Sequence, residues 1–205
     1  MKSGLFRAGQ MLLGWAFVGI VYHLSDRLQG GGRLITPSWV DNLIPFSASA
    51  IWLYLSFFLI IPLGYFLAPL AAVRWLARAM QISALGAGAI YLGWPTTLQY
   101  PVDVGMGMGA KFLSVLTVVD SAQNCLPSLH ITLTILAVWA ISKGKRPLRT
   151  SVFILWGVAI AFSILQLKRH LFVDLVGGIV LALVAGMLAQ WMTRCRNRQK
   201  ERCNE

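Results

Sequence analysis

Six stretches of the chain run for 15 residues or more with almost no charge: about 8–24, 46–67, 79–94, 127–141, 151–167 and 171–192. Most are apolar around a whole helical circumference, not along one stripe, which argues against a water-facing side. In hydrocarbon every backbone N–H and C=O must be satisfied inside the chain, so runs of this length are expected to be membrane-spanning helices. The expected fold is therefore all-α: an integral membrane bundle of six helices, formed by one domain over residues 1–205. Charged residues make up only 12% of the chain, about half the share of a soluble domain, and mean hydropathy is +0.68.

Six crossings place both termini on one side, and Lys and Arg say which. Lys2 and Arg7 flank the first run, Arg74 and Arg78 follow the second, KGKRPLR follows the fourth, and RCRNRQKER forms the tail 193–205. These alternate ends hold 13 of the 18 basic residues, while the other side holds Arg27, Arg33, Lys111, Lys168 and Arg169. Both termini are expected in the cytoplasm. The net charge of +11 then needs no nucleic acid partner, because a solvated face beside anionic lipid accounts for it. The first run reads as a retained anchor: no small-residue cleavage site follows Val21-Tyr22-His23. The three cysteines form no disulfide framework, and Cys125 reads as packing.

Two loops on the outer side, about 25–46 and 95–126, are rich in turn residues. The glycines at 105, 107 and 109 lack the strand and the Lys-Ser pair of a nucleotide loop, and a flexible loop is expected there.

The chain has three histidines. His23 ends the first run and reads as an interfacial side chain. His170 precedes Asp174 by four residues, which puts both on one helical face. The carboxylate can take the proton of one ring nitrogen and leave the other as a nucleophile, although the same pair also occurs as plain structure. His130 closes the stretch NCLPSLH, residues 124–130, just ahead of an apolar run. Pro127 is expected in the first helical turn, where its missing N–H costs nothing. The N–H groups of Ser128, Leu129 and His130 would then lack intrahelical partners and offer a phosphate cradle, with His130 beside it as an acid. Taken together, a nucleophile and an acid at neighbouring outer helix ends suit phosphoryl displacement without a metal or other cofactor. Lys168 and Arg169 could neutralise phosphate oxygens, and Asn124 is counted with the phosphate-binding set.

Pro127-Ser128-Leu129-His130 and His170-Leu171-Phe172-Val173-Asp174 resemble the paired histidine motifs of the type 2 phosphatidic acid phosphatase superfamily of membrane lipid phosphatases. The resemblance covers about residues 40–190. NCLPSLH, DNLIPF (41–46) and IWLYLS (51–56) are similar in flavour to its inositol phosphorylceramide synthase-like branch. The resemblance implies a six-helix membrane fold with His170 as a phosphohistidine-forming nucleophile, Asp174 as its orienting partner and His130 as acid and then base. The family's first-motif arginine is replaced by Tyr100 before Pro101, and Ile164 stands where its third motif has another.

The expected function is a lipid phosphatase that hydrolyses a phosphate or diphosphate ester of a lipid on the outer leaflet, in a membrane such as a bacterial inner membrane. Its partners are a phosphorylated lipid and the surrounding membrane lipids. A phosphotransferase that moves a phosphoryl or phospho-headgroup between lipids is the alternative, and a non-catalytic lipid transporter or scaffold is the third reading.

Overall fold

The structure, a computed structural model, describes residues 2–101, 107–119 and 122–202. Its elements in chain order are α1 (Lys2–Leu28), β1 (Arg33–Leu34), α2 (Trp39–Leu43), α3 (Ala48–Leu67), α4 (Leu70–Gly93), β2 (Thr96–Thr97), α5 (Met108–Val119), α6 (Leu129–Ser142), α7 (Pro147–Gln166) and α8 (Phe172–Arg202). Among the described residues the regular structure is helical apart from the two-residue parallel ladder of β1 and β2, which pairs Arg33 with Thr96 and Leu34 with Thr97.

Among the described residues, four helices are long and apolar enough to cross a membrane: α1, α3, α7 and α8. The apolar helix α6 has 14 residues. Helix α4 begins at Leu70, nine residues before its apolar run at 79–94, so Arg74 and Arg78 lie on the helix and not in a turn. Pro69 marks its start, and residues 70, 74 and 78 share one face at the end of the bundle. Helix α8 likewise continues through the basic tail to Arg202. The expected flexible glycine loop is only partly within the described residues. From Met108 it is a helix, and Gly109 lies so near Ala48 that a Cβ would meet its carbonyl oxygen at 3.1 Å.

Helix α4 packs against α1, α6 and α8, and α3 packs against α6. Ile60, Leu76, Met80, Leu136 and Ile160 are fully buried between them, whereas α7 and α8 turn Leu155, Val158, Phe162, Met187 and Trp191 outward. That apolar exterior suits lipid better than water. Gly64 sets the spacing of α3 and α6, since a Cβ there would stand 2.8 Å from that of Ala137. At the start of α1, Arg7 donates to the carbonyls of Tyr65 (2.6 Å) and Ala68 (2.8 Å) and so satisfies the end of α3.

Candidate active site

Helix α6 begins at Leu129, with Ser128 as its N-cap, so Pro127 stands one residue outside the helix and not in its first turn. The cause is a backbone bond: the Ser128 N–H donates to the Asp174 carbonyl at 3.0 Å. That amide is therefore occupied. Leu129 and His130 follow in the first turn of the helix, at the positive end of its dipole. The Ser128 hydroxyl does not cap the helix. It is fully buried and, among the described residues, has no hydrogen-bond partner, a condition that buried polar groups rarely keep without a ligand or water.

The stretch docks on α8 because α8 has two glycines where they meet. A Cβ on Gly178 would stand 2.6 Å from the Ser128 carbonyl oxygen, and one on Gly177 would stand 2.8 Å from Leu126. Thr132 reinforces the contact by donating to the carbonyls of Ser128 and Gly178, each at 2.9 Å.

This docking brings the two histidines together, with ring centroids 5.7 Å apart at an angle of 62°. His170 is 7% exposed, and its Nδ1 lies 3.4 Å from Asp174 Oδ2, an ion-pair distance rather than a made hydrogen bond. Asp174 is fully buried and takes the Leu171 N–H at 2.8 Å on the same oxygen. Its other oxygen, Oδ1, has no partner among the described residues. His130 is held among aromatic rings, Phe57 at 4.6 Å and Tyr54 at 5.0 Å between centroids, and its Nε2 is 3.0 Å from the Tyr54 hydroxyl. A cavity of about 220 Å³ adjoins His130 between α1, α3, α5 and α6, walled by Trp15, Tyr22, Phe57 and Leu133 among others.

Asn124, Lys168 and Arg169, the other residues expected to bind phosphate, each make contacts of their own. Asn124 adopts a positive φ of 56° and uses both ends of its amide: Nδ2 donates to the Tyr22 carbonyl at 3.0 Å, and Oδ1 accepts from Gln29 at 2.9 Å. Lys168 turns toward DNLIPF, where its Nζ donates to the carbonyls of Asp41 and Ile44, the latter at 2.6 Å. Arg169 is 3% exposed, with its guanidinium 4.1 Å from the Tyr100 ring centroid. Cys125 is buried against Leu98 and Leu171, in agreement with its reading as packing.

Two residues matter here that sequence reasoning did not single out. Tyr54, inside IWLYLS, touches His130. Asp41, the first residue of DNLIPF, is 3% exposed and accepts from the Phe172 N–H at 2.7 Å, the Ser38 N–H at 2.8 Å and the Ser38 hydroxyl. It thereby caps its own short helix and the start of α8 at once. Together with Lys168 it bolts the loop that carries His170 to the segment ahead of α3. A capping pattern, Ser38-x-x-Asp41, was the available signal. A second cavity of about 300 Å³ adjoins this loop, with Thr36, Asp41, Asn42, Gln99, Lys168 and Leu171 among its walls.

No curated protein and no solved structure matches the chain. A family model described as the PAP2 superfamily, whose members are phosphatases and phosphotransferases, matches residues 44–188, which include every residue of both histidine motifs; the chain belongs to the PAP2 superfamily.

Proposed function

We propose that the protein is a lipid phosphatase that works through a phosphohistidine at His170. The approach of the His130 and His170 rings to 5.7 Å carries this reading, because a phosphate ester bound beside both meets a nucleophile and an acid at once. Asp174 orients His170 through Nδ1 and leaves Nε2 to attack phosphorus. As the N–P bond forms, the bond from phosphorus to the lipid oxygen breaks, and its electron pair leaves with that oxygen. His130 donates a proton to it. Water then attacks the phosphohistidine, His130 takes a proton from the water, and the N–P bond breaks to release phosphate. The Ser128 hydroxyl and the first-turn end of α6, with the positive end of its helix dipole, would hold the phosphate oxygens. The lipid chain on the leaving oxygen would lie on the His130 side, where the apolar cavity is.

Six crossings, with the termini in the cytoplasm and the histidines at the outer leaflet, complete the proposal. Reporter fusions at both termini test the topology. For the chemistry, purified protein is offered lipid monophosphates, lipid diphosphates and phosphodiesters in the presence of EDTA. His170→Ala should lower phosphate release by roughly 10⁴-fold or more. Turnover that survives this substitution overturns the assignment.

The cavity beside Leu171, which carries several polar side chains in its wall, favours a second reading, transfer to an alcohol in place of water. Thr36, Asn42 and Gln99 could hold an acceptor's hydroxyl groups, as the likeness to the inositol phosphorylceramide synthase-like branch would suggest. Headgroup exchange between labelled lipids, measured alongside phosphate release, separates the two.

A further inference from the structure

At the end of the bundle away from the histidines, Arg74 and Arg78 of α4 and Arg196 of α8 line one cavity of about 470 Å³, with Thr193 and Asn197 completing its polar wall. No carboxylate lines it among the described residues. Burial, then the charges of Arg196 and Arg74, pull the Arg78 guanidinium below its ordinary value, as expected for three like charges that share one space. Phe6, under the Arg74 guanidinium at 5.1 Å, and Trp75 form the aromatic wall. Lys143 lies on the Trp75 ring with Nζ 3.3 Å from its centroid and places a fourth cation behind that wall.

We infer that this cavity binds the phosphate headgroup of an anionic phospholipid, at a site separate from the histidines. Three guanidinium groups that line one space, with no carboxylate beside them among the described residues, cost free energy by mutual repulsion, and a bound phosphate converts that cost into charge-assisted hydrogen bonds. The surroundings select a lipid over a free anion. Leu70 in the lining and the neighbouring Leu5 and Phe66 are exposed apolar side chains that acyl chains would cover. The distance also fits. From Asp174 to Arg196 along α8 is about 33 Å at 1.5 Å per residue, close to the thickness of a bilayer's hydrocarbon core. The headgroup therefore belongs to the leaflet opposite the one that meets the histidines, where basic recesses between helices recognise phosphate-bearing lipids.

Thermal unfolding of delipidated protein in a neutral detergent tests this. Short-chain phosphatidylglycerol should raise Tm by several degrees, whereas phosphatidylcholine at the same concentration and millimolar inorganic phosphate should not. In Arg78→Gln/Arg196→Gln the phosphatidylglycerol response should vanish, while Tm without lipid stays equal to that of the parent or exceeds it, because repulsion is relieved. An equal response to phosphatidylcholine, or a full phosphatidylglycerol response in the double variant, overturns the site. An equal response to inorganic phosphate overturns the assignment to lipid. Should the double variant not fold, native mass spectrometry of Arg196→Gln, altered at an exposed position, serves instead. It should retain less phosphatidylglycerol than the parent, and equal retention overturns the proposal. None of these readouts depends on catalysis.

Discussion

The Tyr54 hydroxyl sits 3.0 Å from His130 Nε2, so a residue of α3 governs the side chain proposed as the acid on α6. Tyr54 is almost fully buried and His130 half-buried, which makes the contact well shielded from competing water. Tyr54→Phe should lower kcat/KM about fivefold to tenfold, the worth of one neutral hydrogen bond. His130→Ala should lower it by roughly 10²–10⁴-fold for a lipid leaving group. Adding Tyr54→Phe to His130→Ala should then cost nothing more; a further tenfold loss in the double variant would show that Tyr54 acts on something other than His130.

If His130 serves as the acid, the penalty for losing it must depend on the leaving group. An alkyl alcohol needs a proton as it departs, and p-nitrophenol does not. His130→Ala should therefore recover most of its first-step rate on p-nitrophenyl phosphate, whereas His170→Ala should not. Single-turnover release of p-nitrophenol is the measurement, and equal losses for both ester types count against the acid role.

Asp41→Asn keeps the shape of a buried group that accepts three hydrogen bonds but removes its charge. Bonds to a charged partner are worth about 1.5–3 kcal/mol each, and an amide oxygen can retain part of that. The variant should lose about 2–3 kcal/mol of stability by denaturant unfolding in detergent, and kcat should fall more than KM rises, since the loop before α8 carries His170. A drop in stability with kcat intact would mean that Asp41 holds the fold without positioning the histidine.

Gly178→Ala puts a methyl group 2.6 Å from the Ser128 carbonyl oxygen, a contact that only a shift of α6 against α8 relieves. The expected cost is about 1–3 kcal/mol, with a loss of activity greater than that of stability because the histidines part. Gly4→Ala, which meets nothing within 4 Å, is the control and should match the parent in both.

Arg169 rests on Tyr100, with its guanidinium 4.1 Å from the ring centroid. Tyr100→Leu removes the ring and, with it, about 1–2 kcal/mol of cation–π contact. If the stacked guanidinium serves the substrate phosphate, this variant and Arg169→Lys should each raise KM about tenfold, because an ammonium neither stacks nor forks as a guanidinium does. An unchanged KM in both places Arg169 outside the phosphate site.

The apolar runs mark most of the bundle, and the two motifs that hold His130, His170 and Asp174 are the ones the fold brings together. What stayed hidden follows from contacts distant in sequence. Arg74 and Arg78 disguised the first nine residues of α4, because a charge interrupts an apolar run without interrupting a helix. Pro127 looked like a helical residue until the Ser128 amide was seen to bond with α8, 46 residues further on. Asn124 and Lys168 have side chains suited to phosphate, yet backbone carbonyls of α1 and of the DNLIPF segment claim them. Tyr54 and Asp41 lie within IWLYLS and DNLIPF, but no local pattern announces a hydroxyl facing a histidine 76 residues away.

The bond between the Ser128 amide and the Asp174 carbonyl joins main chain to main chain. No substitution at either position, other than proline at 128, can delete its donor or its acceptor. Register between the two motifs is thus written into peptide groups that every amino acid shares. Side chains on either side of this contact can be exchanged without removing the bond that sets His130 and His170 at their separation.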